Sequence, residues 1–103
     1  MINLILNHQK EIENLCNRLN VKRLEVFGSA AKGEFDPYQS DLDFLVEFEK
    51  PEVPPGLLTR YLSLAEELEK ILGKKIDLIT PQSIRNPYFR EAVNSNRESV
   101  YAA

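Results

Sequence analysis

V-F-G-S-A-A-K-G-E-F-D-P-Y-Q-S-D-L-D-F-L-V-E-F, residues Val26 to Phe48, is the stretch that decides the fold. An apolar run ends at Gly28-Ser29. After eleven intervening residues, Asp41 and Asp43 stand one residue apart at the head of a second apolar run. From Asp41 to Phe48 the pattern has period two. Leu42, Phe44, Val46 and Phe48 fall on one face, and Asp41, Asp43, Leu45 and Glu47 on the other. The first set is a core face, and the second begins with two acids. Val21 to Phe27 is the preceding strand, with Leu24 and Val26 on one side and Glu25 and Phe27 on the other. Gly28 stops it, Ser29 to Lys32 favours a short helical turn, and Asp36-Pro37 marks a loop.

Outward from that stretch, the rest of the chain supports it. Asn7 to Asn20 has helical spacing, with Ile12, Leu15, Cys16 and Leu19 on one face. Lys50 to Gly56 carries three prolines and is a loop. Leu57 to Leu72 predicts the strongest helix, with a wide apolar stripe of Leu57, Leu58, Tyr61, Leu62, Leu64, Ala65, Leu68, Ile71 and Leu72, stopped by Gly73. Pro54 to Leu58 are assigned to the core rather than to an interface, and Glu66 and Lys70 have the spacing of an ion pair. Lys74 to Thr80 is a third strand, on which Asp77 faces away from Ile76 and Leu78; Pro81 ends it. Asn86 to Asn94 is read as a helix and Ser99 to Ala102 as a short last strand. This order predicts an α/β (α+β) fold, a small mixed β-sheet with helices packed on one side, in one domain spanning residues 1–103.

Composition excludes several classes. The chain has 103 residues, a net charge of −3 and a hydrophobic fraction of 43%. No apolar run approaches the roughly 20 residues needed to cross a bilayer, so no membrane role is expected. The apolar start, Met1 to His8, lacks the basic region and cleavage site of a signal peptide. Cys16 is the only cysteine, which suits a cytoplasmic protein. No basic cluster is denser than Lys74-Lys75, so long nucleic acid has no electrostatic footprint. His8 is read as an exposed polar residue and Cys16 as a small core residue. Homo-oligomerisation is left open.

Three acids then sit on the non-core faces of two strands, behind a turn of the type that holds phosphate. Carboxylates at i and i+2 on a strand have Cα atoms about 6.5 Å apart and point the same way. They can converge on divalent cations, and a two-metal site needs ions about 3.5–4 Å apart. Mg²⁺ prefers such oxygen ligands and shares its shell with substrate phosphates. Asp77 is the third carboxylate, able to bind metal or to act as base toward an attacking hydroxyl. Gly28 lets backbone approach a phosphate, the following turn offers free N–H groups, Ser29 adds a hydroxyl donor, and Lys32 reaches distal phosphates as a point charge. Each piece alone is an ordinary surface feature. Their combination is specific.

Phe27-Gly28-Ser29, Asp41-Leu42-Asp43-Phe44 and Ile76-Asp77-Leu78 together resemble the signature of the DNA polymerase beta-like nucleotidyltransferases, and most closely of their minimal members, the MNT proteins. The segments Asn86 to Val93 and Val100 to Ala102 resemble the usual end of that subfamily, so the likeness covers nearly the whole chain. It implies the nucleotidyltransferase fold, two Mg²⁺ ions on Asp41, Asp43 and Asp77, and a nucleoside triphosphate, ATP, on Gly28 and Ser29. Lys32 stands where many members carry arginine. The likeness also implies transfer of AMP to a tyrosine hydroxyl of a HEPN-family toxin, with the chain as antitoxin. Two alternatives compete: an antitoxin that neutralises by binding alone, and a small-molecule nucleotidyltransferase. The crowded acids argue against a pure binder, because uncompensated like charges cost stability. The short chain argues against the second, since an acceptor site would have to come from a partner.

Overall fold

The computed structural model describes residues 2–28, 41–81, 86–88, 91 and 97–103. Its centre is the strand pair foreseen in the sequence. β1 (Val21–Phe27) and β2 (Leu42–Phe48) run antiparallel, with Phe27 opposite Asp43, Glu25 opposite Leu45 and Arg23 opposite Glu47. Alternation divides the two faces as expected. Leu24, Val26, Leu42, Phe44 and Val46 enter the main core, while Phe27 and Leu45 form a separate small cluster with Ile79. The register slips between Val21 and Arg23, and Val21 joins the main core.

The helices cover one face. α1 (Asn3–Leu6) is a single turn that the sequence pattern did not predict, and its Ile5 is fully buried. α2 (Gln9–Arg18) buries Ile12, Leu15 and Cys16, and Asn20 ends it in the left-handed region at φ 54°. His8 is half-buried and its Nδ1 lies 2.9 Å from the Leu4 carbonyl oxygen, so it serves the α1–α2 junction rather than a metal. Burial, then the nearby Glu13, pushes the Cys16 thiol up to about 12, which keeps it inert and in the core.

α3 (Leu57–Leu72) corrects the expected stripe. Its buried residues are Arg60, Leu64, Leu68 and Leu72, one strict row at i, i+4. Leu57, Leu58 and Leu62 are exposed, at 43%, 71% and 52%. Tyr61, Ala65 and Ile71 flank that row, partly buried against the core, so the leucines of the first two turns are the part of the expected stripe that lies outside it. Arg60, 1% exposed, heads the buried row. Its guanidinium donates to the carbonyls of Glu49 (2.7 Å), Lys50 (2.9 Å), Pro55 (3.1 Å) and Leu19 (3.4 Å), and lies 5.5 Å from the Phe48 ring centre. One side chain thus ties the end of α2, the end of β2 and the proline loop to α3. Lys70 pairs with Glu67 at 3.7 Å and not with Glu66.

β3 (Ile76–Ile79) lies parallel to β2, and β4 (Glu98–Ala102) antiparallel to β1, in the sheet order β3-β2-β1-β4. The sheet is mixed, as predicted. Side chains from the helices blunt both outer strands. Glu69 accepts the Ile76 N–H at 3.2 Å and the Tyr61 hydroxyl donates to the Leu78 carbonyl, while Gln9 donates to the Val100 carbonyl. Of the helix expected at 86–94, Pro87, Tyr88 and Glu91 are helical and the remainder lies largely outside the described residues. No helix among the described residues is long and apolar enough to cross a membrane.

Candidate active site

The site is built on the sheet face opposite α1, α2 and α3, where Phe27 and Leu45 are buried and Asp77 is exposed. Pairing across the sheet sets Asp77, Asp43 and Phe27 in one row, since Asp43 opposes Asp77 on β3 and Phe27 on β1. The next row is Ile79, Leu45 and Glu25, of which Ile79 and Leu45 give the two acids an apolar border. Asp43 and Asp77 occupy facing positions on parallel strands, about 4.8 Å apart in the backbone. Asp41 stands just before β2 and is exposed, as is Asp77, whereas Asp43 is half-buried.

Electrostatics single out Asp43. Its carboxyl is pushed up from 3.8 to about 6, first by burial, then by the charge of Asp77, then by that of Asp41. The charges of both other acids proposed from the sequence therefore act on Asp43. As their side chains are placed, no three His, Cys, Asp or Glu groups among the described residues stand close enough to hold a metal ion together. The chemistry of the set nonetheless fits a hard divalent cation. The donors are carboxylate oxygens only, with no imidazole or thiolate, and their mutual repulsion is what a cation between them relieves.

Gly28 stands directly beside this pair. It closes β1 at φ +72°, and a Cβ placed on it would fall 2.8 Å from Asp43 Oδ2. Ser29 and Lys32 lie outside the described residues. Glu47, on the same strand face as Asp43, is engaged in an ion pair with Arg23 and belongs to the framework, as its distance from the acids suggested.

Sequence reasoning passed over the charged cluster beyond the apolar border. Glu25 is buried at 9% exposure, 3.2 Å from Arg97 Nε and 3.6 Å from Arg23 Nε. Alternation put Glu25 on this face but could not show its partners, because Arg97 is far away in the chain. The cluster anchors the approach to β4 beside the strand that carries Gly28.

A mixed sheet with α1, α2 and α3 on one side, and facing strand carboxylates beside a glycine turn on the other, is the arrangement expected of a nucleotidyltransferase. The chain belongs to the nucleotidyltransferase domain family, whose model matches residues 9–100. It is 44% identical to a Methanocaldococcus jannaschii protein over 92 residues, 89% of this chain and 87% of that one. It is 36% identical to the protein adenylyltransferase MntA of Thermococcus cleftensis, over 91% of this chain and 84% of MntA. Among solved structures, a minimal nucleotidyltransferase matches with TM-score 0.71 and 33% identity, over 89% of this chain and 88% of that one. A complex of a tri-AMPylated Shewanella oneidensis HEPN toxin with an MNT antitoxin matches in fold, with TM-score 0.54 and 18% identity over 92% of this chain and 73% of that one.

Proposed function

We propose that this protein is a Mg²⁺-dependent protein adenylyltransferase, a single cytoplasmic domain that moves AMP from ATP to a tyrosine hydroxyl of a HEPN-family toxin and so acts as its antitoxin. The carrying observation is the facing pair Asp43 and Asp77 with Gly28 against Asp43. The relatives add direction. MntA of Thermococcus cleftensis is a protein adenylyltransferase, and the toxin in the Shewanella oneidensis complex carries AMP.

In the proposed reaction the acceptor oxygen forms a bond to the α-phosphorus of ATP, the bond to the β-phosphate oxygen breaks, and pyrophosphate leaves. Gly28 and Ser29 hold the triphosphate through backbone N–H groups and a hydroxyl, and Lys32 places a positive charge on its distal end. Asp41, Asp43 and Asp77 would hold two Mg²⁺ ions, which offset charge on the transferring and leaving groups. Asp77, exposed at its strand position, takes up the hydroxyl proton. Asp43, held between strands, fixes the geometry. The partner supplies the surface that brings the tyrosine to the site.

Two labelled forms of ATP test this. With Mg²⁺ and a HEPN-type partner, label at the α-phosphate should move to the partner and label at the γ-phosphate should leave as pyrophosphate. Label on the partner from the γ-position would mean a kinase and would end the proposal, as would no transfer from any nucleoside triphosphate.

A further inference from the structure

Two glycines among the described residues have positive φ, Gly28 at +72° and Gly73 at +64°. They share a backbone need and differ in everything else. A Cβ on Gly73 would meet nothing within 4 Å. On Gly28 the three nearest atoms all belong to Asp43: Oδ2 at 2.8 Å, Cγ at 3.7 Å and Cβ at 4.0 Å. The nearest atom is the carboxylate oxygen, at a separation that a carbon and an oxygen do not tolerate without one of them moving. Gly28 follows β1 directly and Oδ2 is the far end of a side chain, so the movement falls on the Asp43 side chain.

We propose that Gly28 is a positioning residue for Asp43, and that the space left by its missing Cβ is where the Asp43 carboxylate stands. This rests on the reading of Asp43 as a metal-binding carboxylate and adds a second role to the glycine of the triphosphate turn. The place is tightly bounded. Asp77 opposes Asp43 from β3 and repels it, Phe27 opposes it from β1, and Leu45 follows on the same face. A carboxylate displaced from the Gly28 side is driven toward a like charge or toward apolar side chains. Metal and triphosphate sites are thereby set against each other at a single contact, and a shift of the turn at Gly28 is a shift of the metal-binding oxygen.

The conformational and steric roles can be separated. Asparagine tolerates the left-handed region far better than alanine but still carries a Cβ. Mn²⁺ binding to the nucleotide-free full chain, followed by electron paramagnetic resonance, is the readout, with thermal melts to follow the fold. Gly28→Ala and Gly28→Asn should each weaken Mn²⁺ binding at least about tenfold, the size of effect seen when a ligand-orienting neighbour is lost. Gly73→Ala should lower the melting temperature much as Gly28→Ala does and leave Mn²⁺ binding unchanged. Mn²⁺ binding at wild-type strength in folded Gly28→Asn would overturn the inference, because the glycine would then serve backbone conformation or phosphate alone. Should Gly28→Ala not fold, Gly28→Asn decides by itself. Absence of Mn²⁺ binding in the wild type would remove the metal reading and the inference together, whereas wild-type binding with unaffected Gly28 variants removes the inference alone.

Discussion

Replacing Asp43 by asparagine is expected to stabilise the metal-free protein near neutral pH while destroying its proposed activity. The carboxyl is pushed up from 3.8 to about 6 by burial, Asp77 and Asp41, in that order. The sign follows from which state ionises first. Below about pH 4 the group is protonated in folded and unfolded chains alike and costs nothing. Between about pH 4 and about pH 6 the unfolded chain ionises while the folded one resists, so stability falls as pH rises; above about pH 6 the loss is complete. At full strength a rise of roughly 2 units corresponds to about 3 kcal/mol. Asp43 is only half-buried, and solvent screening reduces the expected share to about 1 kcal/mol. Urea unfolding with a chelator present should therefore show Asp43→Asn more stable than wild type by about 1 kcal/mol near pH 7.5, with the gap closing toward about pH 4. Mg²⁺ should then raise the wild-type midpoint and leave that of the variant in place. A variant less stable than wild type near neutral pH, or a gap that does not change with pH, would refute the idea that Asp43 is held against like charges.

Three further substitutions separate framework from surface. Arg60→Met should cost about 3–5 kcal/mol in urea unfolding, because it strands carbonyls at the ends of α2 and β2; a loss under about 1 kcal/mol would mean that water replaces the guanidinium freely. Glu25→Gln should cost less, about 1–2 kcal/mol, since Arg23 and Arg97, 41% and 33% exposed, can turn to solvent once their carboxylate is neutral. Leu58→Gln should stay within about 0.5 kcal/mol, given 71% exposure in the structure; a loss above about 1.5 kcal/mol would return Leu58 to the core.

Local alternation made much of this legible in the sequence. Period-two spacing put Asp43 and Asp77 on faces opposite Phe44 and Leu78, and the sheet keeps them there. Gly73 and Asn20 ended helices because only a few residue types accept the left-handed turn that does so. The features that escaped depend on what lies across the fold. Arg60 sits in phase with Leu64, Leu68 and Leu72, but a charged residue looks like the end of an apolar stripe unless the carbonyls awaiting it are known. Leu57, Leu58 and Leu62 share the helical spacing of core residues, and only the packed fold shows that they are exposed. Lys70 had acids at two suitable spacings, and rotamers rather than sequence chose Glu67. The contact between Gly28 and Asp43 exists only because β1 and β2 pair in this register.

The facing carboxylates are proposed to make this chain a transferase of AMP. The direct measurement is the intact mass of a HEPN-type partner after incubation with Mg²⁺, ATP and either the wild type or Asp43→Asn, followed by peptide mapping. The wild type should place AMP on a partner tyrosine, and the variant should react at least roughly a hundredfold more slowly, as for loss of a group that acts in the transition state. Equal modification by both proteins would contradict the proposal, and so would an unmodified partner that the wild type nonetheless neutralises.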